Sequence, residues 1–490
     1  MRVTNDKAQL QSFFLGKRSG ALAALLLLAL AALPSGARPH RAQAILYVTR
    51  RPTAAEVAHR QTHAKYEPAV GCYLGAYIDY DPILRHRFRD QDRITHQDPT
   101  PFEQLVGKPH AMYFFYLGYG RPLPLDWVRW LGSQNKFVHI ALEPNNGLSR
   151  VKDDAYLRKL ADDMARSNAR IFLRFASEMN GFWTNYHNDP AEYRRKFRLV
   201  HDIMRRRAPN VAMVWCPYMI PTWGIPNYYP GDDAVDWVGV NLYNVTYHDN
   251  KLSEHCENEH PCDLLSYVYN RYSARKPIMV CEYGVTHYSL CDGRPRPDFA
   301  LRKILTLYEA LPRLFPRVKC INYFDGDTLR FAADRATNDY CITDDPVVAA
   351  TYRYAIASPY FLSAPLPEAP PIRNAHSPTP DAQRPTPNIL PIPMPMREGE
   401  RLRGQVRLSC FARTPSDVVT VRYKVDGYRI YTAKTPDLWE CLWDAGSVRP
   451  GRHTLTLEAL RPDGRLAASQ TLHVLTSQSR PGRQSSAKLR

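Results

Sequence analysis

The chain has 490 residues, more than one hydrophobic core organises, and its 65 Lys and Arg against 48 Asp and Glu give a formal charge of +17. That balance either draws anionic envelope polymers or acidic glycans through long-range attraction, or is solvated surface charge. No nucleic-acid module signature accompanies it, so nucleic acid is set aside as a partner.

Lys17 and Arg18 precede the apolar run Ala21–Leu33, and small residues follow as far as Ala42-Gln43-Ala44. This three-part pattern is that of a secretory signal peptide over residues 1–44, with a secreted or cell-surface product; an uncleaved anchor is the alternative. Removing residues 1–44 takes away six Lys/Arg and one Asp and leaves +12. No later stretch is apolar and long enough for a bilayer span of ~20 residues.

Residues 45–66 read as a polar lead-in. From there eight strand-like runs alternate with helical or loop segments, the pattern of an α/β (β/α)8 TIM barrel over 45–364. They are VGCYLGAYI (70–78), HAMYFFYLG (110–118), KFVHIALEP (136–144), ARIFLRFAS (169–177), VAMVWCP (211–217), VDWVGVNLY (235–243), KPIMVCE (276–282) and VKCINYFD (318–325). AYLRKLADDMARS and PAEYRRKFRLVHDIMRRR fit as intervening helices, the second with Asp189-Pro190 as its start signal. Residues 365–399 form a linker, with eleven prolines between 365 and 395, a composition that favours extended chain and builds no core. Short alternating strands over 400–476, with turn signals at Asp426-Gly427 and Asp463-Gly464, predict a small all-β immunoglobulin-like sandwich. Residues 477–490 read as a basic disordered tail.

Two glutamates stand where an apolar strand runs out: Glu178 after IFLRF and Glu282 at the end of KPIMVCE. Barrel active sites form at strand C-termini, and two carboxylates on different strands are what glycoside hydrolysis requires. The plainer reading of Glu178 is a carboxylate paired with Arg174. Around this pair, Trp183, Trp215 and Trp223 are aromatic faces suited to stacking on sugar rings, with core packing the rival reading for the first two. Asn180, Asn241 and Glu143 lie near strand ends, placed either to bind sugar hydroxyls or to cap loops.

The motifs RF-x-x-EMNG-x-W, YYPGDD-x-VDWVGV-x-x-YN and KPI-x-x-x-EYG, with the helix ending before NV-x-x-VW-x-P, resemble glycoside hydrolase family 26 over roughly Ala69 to Asp325. The family is best known for β-mannanases and belongs to the retaining clan A glycosidases. The resemblance implies Glu178 as acid/base, Glu282 as nucleophile and Tyr243 beside the nucleophile, with Tyr243 or Arg174 among the donors that keep Glu282 ionised. It implies endo-β-mannanase-like hydrolysis of a polysaccharide. Three departures bear on specificity: Ser177 stands where the family usually has histidine, Asn241 where it has aspartate, and Tyr323-Phe324 where a Trp-Phe pair is common. The β-sandwich has a weaker likeness to immunoglobulin-like modules of secreted glycanases, which implies a spacer or an accessory contact with envelope glycan. The alternatives are a non-catalytic polysaccharide-binding protein that keeps the barrel, and a transglycosylase that remodels exopolysaccharide.

No cofactor and no metal is expected. His248, His255, Cys256, His260 and Cys262 match no standard zinc spacing, and a Cys256–Cys262 disulfide is the preferred reading. Cys291–Cys341 and Cys410–Cys441 are the other reasonable pairs in an oxidising compartment. Asp232-Asp233 reads as structural rather than as a calcium site. Ser177 with His187 lacks the GxSxG context of a nucleophilic serine.

Overall fold

The computed structural model describes residues 46–50, 62, 64–84, 87–89, 95–332, 337–366, 394–412, 420–433, 441–461 and 463–477. The expected signal peptide, most of the proline-rich linker and the basic tail lie outside these residues. The described residues divide into two compact units, one lying within 57–390 and the other within 391–490 together with Leu46–Arg50. Among the described residues no helix is long and apolar enough to cross a membrane.

The first unit is a closed barrel of eight parallel strands. They are β1 (Cys72–Tyr80), β2 (Met112–Gly118), β3 (Phe137–Glu143), β4 (Arg170–Phe175), β5 (Val211–Trp215), β6 (Trp237–Asn244), β7 (Ile278–Val285) and β8 (Val318–Gly326). Each pairs with its sequence neighbour and β8 returns to pair with β1. Every strand falls on one of the eight predicted runs. The main helices are α1 (Pro99–Val106), α2 (Leu125–Ser133), α3 (Ala155–Arg166), α4 (Pro190–Arg207), α5 (Pro261–Tyr272), α6 (Pro297–Leu314) and α7 (Pro346–Ile356). The start of α4 is as its sequence implies: the Asp189 carboxylate accepts from Glu192 N at 2.8 Å and Pro190 occupies the first turn, where its missing N–H costs nothing.

Strand alternation sorts the side chains. On β4, Phe172 and Arg174 face the barrel interior; on β6, Trp237, Gly239, Asn241 and Tyr243 do; on β5, Ala212 and Val214 do, followed just past its end by Cys216. The lower interior is an apolar plug that includes Tyr73, Met112, Phe137, Phe172, Trp237 and Met279, all nearly or fully buried. Tyr77, Phe114, Phe324 and Tyr340 make a second, aromatic cluster, packed against Tyr116 and Tyr243.

One irregularity positions the chemistry. On β7, Met279 and Cys281 pack in the plug, so unbroken alternation would bring Tyr283 inward next. Instead the pairing with β6 shifts between Val280, opposite Val240, and Glu282, opposite Asn241. This bulge inserts one residue and re-aims the side chains beyond it. Glu282 turns inward, while Tyr283 turns out to pack near Tyr308 of α6 at 6.3 Å. The sequence suggests a strand that stops at Glu282, but β7 passes through the bulge to Val285.

The second unit is all β. A four-stranded sheet orders Met394–Pro395, Leu46–Arg50, Gln405–Ala412 and Cys441–Asp444; a five-stranded sheet orders Glu400–Leu402, Leu466–Thr476, Gly451–Leu460, Thr420–Val425 and Tyr428–Ala433. Its core contains Leu408, Cys410, Val421, Tyr423, Trp443 and Leu457. Asp426 and Gly427 both take positive φ (51° and 83°), the backbone of the hairpin turn their sequence suggests. Leu46–Arg50 falls in the stretch read as a lead-in to the barrel. It is instead a strand of this unit, antiparallel to Gln405–Ala412 with Leu46 opposite Ala412.

All ten cysteines are thiols, so none of the three expected disulfides is made. Cys256 Sγ lies 3.2 Å from Val245 O and Cys341 Sγ 3.3 Å from Thr343 Oγ1, each engaged with a local polar atom rather than a second sulfur.

Candidate active site

Glu178 and Glu282 both line one cleft of about 660 Å³. Glu178 lies three residues past β4, after a turn in which Ala176 and Glu178 take left-handed φ of 49° and 61°. Such backbone costs ~1–3 kcal/mol per residue and persists where its surroundings enforce it. Here Glu178 N donates to Cys216 O at 2.8 Å, and Gly181 N donates to Glu178 O at 2.8 Å. The side chain is 8 % exposed. Its Oε2 accepts from Trp183 Nε1 at 2.8 Å and its Oε1 from Asn241 Nδ2 at 2.6 Å.

Glu282 is more deeply set, at 1 % exposure. Its Oε1 accepts from Tyr116 OH at 2.7 Å and Arg174 Nη2 at 2.6 Å, and its Oε2 accepts from Tyr243 OH. Burial and then the Glu282 charge push the Tyr243 phenol well above its ordinary pKa, so it stays a donor. Arg174 is fully buried, its guanidinium 5.6 Å from the Phe114 ring centre and 5.7 Å from that of Tyr116. Burial alone would penalise its charge, but Glu282 outweighs that and holds the guanidinium protonated. A buried charge without such a partner is strongly disfavoured. Beneath it His139 is fully buried, and burial followed by the Arg174 charge holds its imidazole neutral.

Asn241 ties the two carboxylates together. Its Nδ2 donates to Glu178 while its Oδ1 accepts from Arg174 Nη1 at 3.0 Å, and Arg174 in turn donates to Glu282. The plain pairing of Arg174 with Glu178 is not what forms, because alternation on β4 aims Arg174 across the interior toward β7.

Trp183, Tyr243 and Glu143 line the same cleft. Glu143 accepts from Ser177 Oγ at 2.5 Å and from Tyr186 OH at 2.9 Å, so a serine–carboxylate–tyrosine group stands where the family's histidine would be. The Ser177–His187 pairing does not form: His187 Nδ1 lies 2.6 Å from Thr184 O. Three expected sugar contacts fall elsewhere. Trp215 is fully buried, 4.9 Å from Tyr229 and 5.3 Å from Tyr272, because it alternates out of phase with Val214 and Cys216 and faces α5. Trp223 is 83 % exposed and outside the cleft lining. Asn180 staples the following loop, donating to Tyr218 O at 3.0 Å and Pro221 O at 2.9 Å and accepting from Tyr218 N at 2.8 Å.

Sequence reading missed Tyr116, Tyr218, Phe324 and Tyr340 as cleft walls. Tyr116 was legible in part, since it shares the inward phase of Phe114 near the end of β2. Tyr218, 4.9 Å from Trp183, comes after β5 on a loop whose path no local pattern fixes.

Residues 136–255 match the profile described as Glycosyl hydrolase family 26. Over that stretch, about a quarter of the chain, the barrel is similar to glycosyl hydrolase family 26. The match carries Glu178, Asn241 and Tyr243 and stops short of Glu282, whose assignment rests on its geometry. A Vibrio sp. protein named beta-1,3-xylanase TXYA is 26 % identical over 157 residues, 30 % of this chain and 29 % of its own. Endoglucanase H of Acetivibrio thermocellus is 24 % identical over 251 residues, 49 % of this chain and 25 % of its own. The chain thus spans under a third of the length of these relatives. Among solved structures, a modular endo-beta-1,4-mannanase from Cellulomonas fimi is 17 % identical, with coverage of 86 % of this chain and 98 % of that one and a TM-score of 0.45.

Proposed function

We propose that the protein is a retaining glycoside hydrolase that cleaves a neutral β-linked polysaccharide, mannan-type or a related β-glycan, within the chain. The observation that carries this reading is the pair Glu178 and Glu282 on one cleft, each held by its own donors and joined through Asn241 and Arg174. In the first step Glu282 attacks the anomeric carbon as the glycosidic C–O bond breaks, and Glu178 gives its proton to the departing oxygen. In the second, Glu178 takes a proton from water, the water oxygen attacks the same carbon, and the bond to Glu282 breaks. Tyr116, Arg174 and Tyr243 orient Glu282 and favour its ionised form. Trp183, Tyr218, Phe324 and Tyr340 offer aromatic faces for sugar rings.

Charge supports a neutral glycan. Among the described residues no Lys or Arg lines the cleft, whereas Glu143, Asp249 and Glu254 do, so the overall charge of +17 does not extend into it. Ser177 and Asn241, in place of histidine and aspartate, set this cleft apart from the mannanase pattern and leave the sugar to be chosen by experiment. The reading includes export, with Ala21–Leu33 as the signal core, and an accessory role for the immunoglobulin-like C-terminal unit on envelope glycan.

Reducing-end release from mannans, xylans, glucans and bacterial exopolysaccharides, comparing the protein with Glu282→Gln, tests the reading. Release by the wild type that the variant loses supports it and names the substrate. Equal release by both removes Glu282 as nucleophile, and binding without cleavage by either favours the non-catalytic alternative.

A further inference from the structure

Between β6 and α5 the chain makes a short antiparallel excursion whose residues form one wall of the cleft. Cys256 N donates to Thr246 O at 2.9 Å and His248 N to Glu254 O at 2.9 Å, with Tyr247 bridging His255 between them. Asp249 and Asn250, both at positive φ, make the tip. In such a ladder His248 and Cys256 are diagonal neighbours, close enough for long side chains to meet. The next turn, closed by Glu259 N donating to Cys256 O at 3.0 Å, folds Glu259 back over the same spot.

Three different donors therefore converge. His248 Nε2 lies 2.9 Å from Glu259 Oε1, and one ligand atom each from His248, Cys256 and Glu259 lie within 4.8 Å of one another. Cys256 is only 8 % exposed, and Glu259 Oε2 is a buried carboxylate oxygen with no hydrogen-bond partner. The lone oxygen is the informative atom, since an unsatisfied buried acceptor costs ~1–3 kcal/mol and calls for a partner.

We infer that His248, Cys256 and Glu259 bind a zinc ion that braces this wall of the cleft. Thiolate with imidazole and carboxylate is a donor set that selects zinc over calcium or magnesium. One thiolate and one carboxylate cancel the dipositive charge, so the complex is neutral where it is least exposed. Bond lengths of ~2.0–2.3 Å place the donors of a tetrahedral zinc about 3.3–3.8 Å apart, so His248 and Glu259 separate by roughly half an ångström on binding. The fourth position is left to solvent. Two other convergences among the described residues, Asp81 with Asp325 and Cys341 and His287 with Asp339 and Asp344, lack the full set of thiol, imidazole and carboxylate. Asp81 accepts from Ile83 N, Leu84 N and Thr343 Oγ1, and His287 sits 3.4 and 3.2 Å from Asp339 and Asp344 as an ion pair. The short spacing His248–Cys256–Glu259 fits no zinc pattern read from sequence, because a hairpin tip and a turn bring the donors together.

The test uses the full chain, stripped with a chelator and titrated with cobalt(II), a coloured stand-in for zinc. The expected result is one equivalent bound with a thiolate-to-metal charge-transfer band, bleached when zinc is added. Cys256→Ser loses the band, and Glu259→Gln, which keeps the thiol, weakens cobalt binding at least tenfold at unchanged melting temperature. The Glu259→Gln result stands alone if Cys256→Ser does not fold. Absence of a band in the wild type, its persistence in a folded Cys256→Ser, unchanged affinity in Glu259→Gln, or a Cys256–Cys262 disulfide in non-reduced peptides would each overturn the inference.

Discussion

The two ends of the barrel interior are built from the same strands and do opposite work. At the lower end β4 contributes Phe172 and β6 contributes Trp237, whose rings meet at 5.1 Å in a buried apolar plug. One to three inward positions higher the same strands contribute Arg174 and then Asn241 and Tyr243, and the interior becomes a hydrogen-bonded set of charges. The lower layer is held by area removed from water, which depends on volume and little on atomic identity. The upper layer is held by directed bonds to two carboxylates, and there one misplaced atom matters more than a lost methylene.

That contrast is broken most forcefully at the carboxylates. Glu178→Ala is expected to lower kcat by ~10²–10⁴-fold, the usual share of a positioned general acid, with a melting temperature near wild type; Glu282→Gln should lower kcat by at least as much and lower the melting temperature too, because Arg174 loses its buried counter-charge. Steady-state kinetics and thermal melts on the same preparations check this. Phe172→Ala is the counterpart at the other end. Its ring packs against Phe137 at 5.1 Å as well as Trp237, so its loss should cost ~3–5 kcal/mol in denaturant unfolding. The folded fraction should keep its turnover.

A smaller change joins the two layers. A Cβ on Gly284 would sit 2.6 Å from the Tyr243 ring, so Gly284→Ala must push that phenol off Glu282. Losing a hydrogen bond to a charged group costs ~1.5–3 kcal/mol, which predicts a tenfold to hundredfold fall in kcat with little change in KM. Equal kcat would show that Tyr243 does not orient the nucleophile.

A last effect, read by pH rather than by turnover, lies at His287, outside the cleft lining. Burial pulls the His287 imidazole down, but Asp339 and Asp344 outweigh it and hold its pKa at about 10, against an ordinary value of 6.5. A folded pKa above the unfolded one gives stability that is complete below about 6.5 and is lost as pH rises through about 10. The melting temperature should therefore fall between these limits in the wild type, and fall less in His287→Gln.

Much of this was legible in the sequence, and where it was not the cause is physical. All eight strands are visible because a buried parallel strand is a short apolar run with turn signals on either side. Glu178 and Glu282 are visible because a carboxylate at such a run's end breaks the pattern. The β7 bulge is invisible, since MVCEYG carries no local sign of a register shift, yet that shift decides whether Glu282 or Tyr283 faces the cleft. Trp215 misled for the complementary reason: an aromatic near a strand end lies inside or outside according to phase, and phase is set by the whole strand. Leu46–Arg50 pairs with residues more than 350 positions away, a distance over which composition says nothing.

The central claim is that Glu282 forms a bond to the sugar, and trapping that bond tests it most directly. A 2-deoxy-2-fluoro glycoside with a good leaving group, built on whichever sugar the polysaccharide panel selects, should inactivate the enzyme at one label per chain. Peptide mass spectrometry should place that label on Glu282. A label on any other residue, or turnover of the reagent with inversion at the anomeric carbon, would contradict the account.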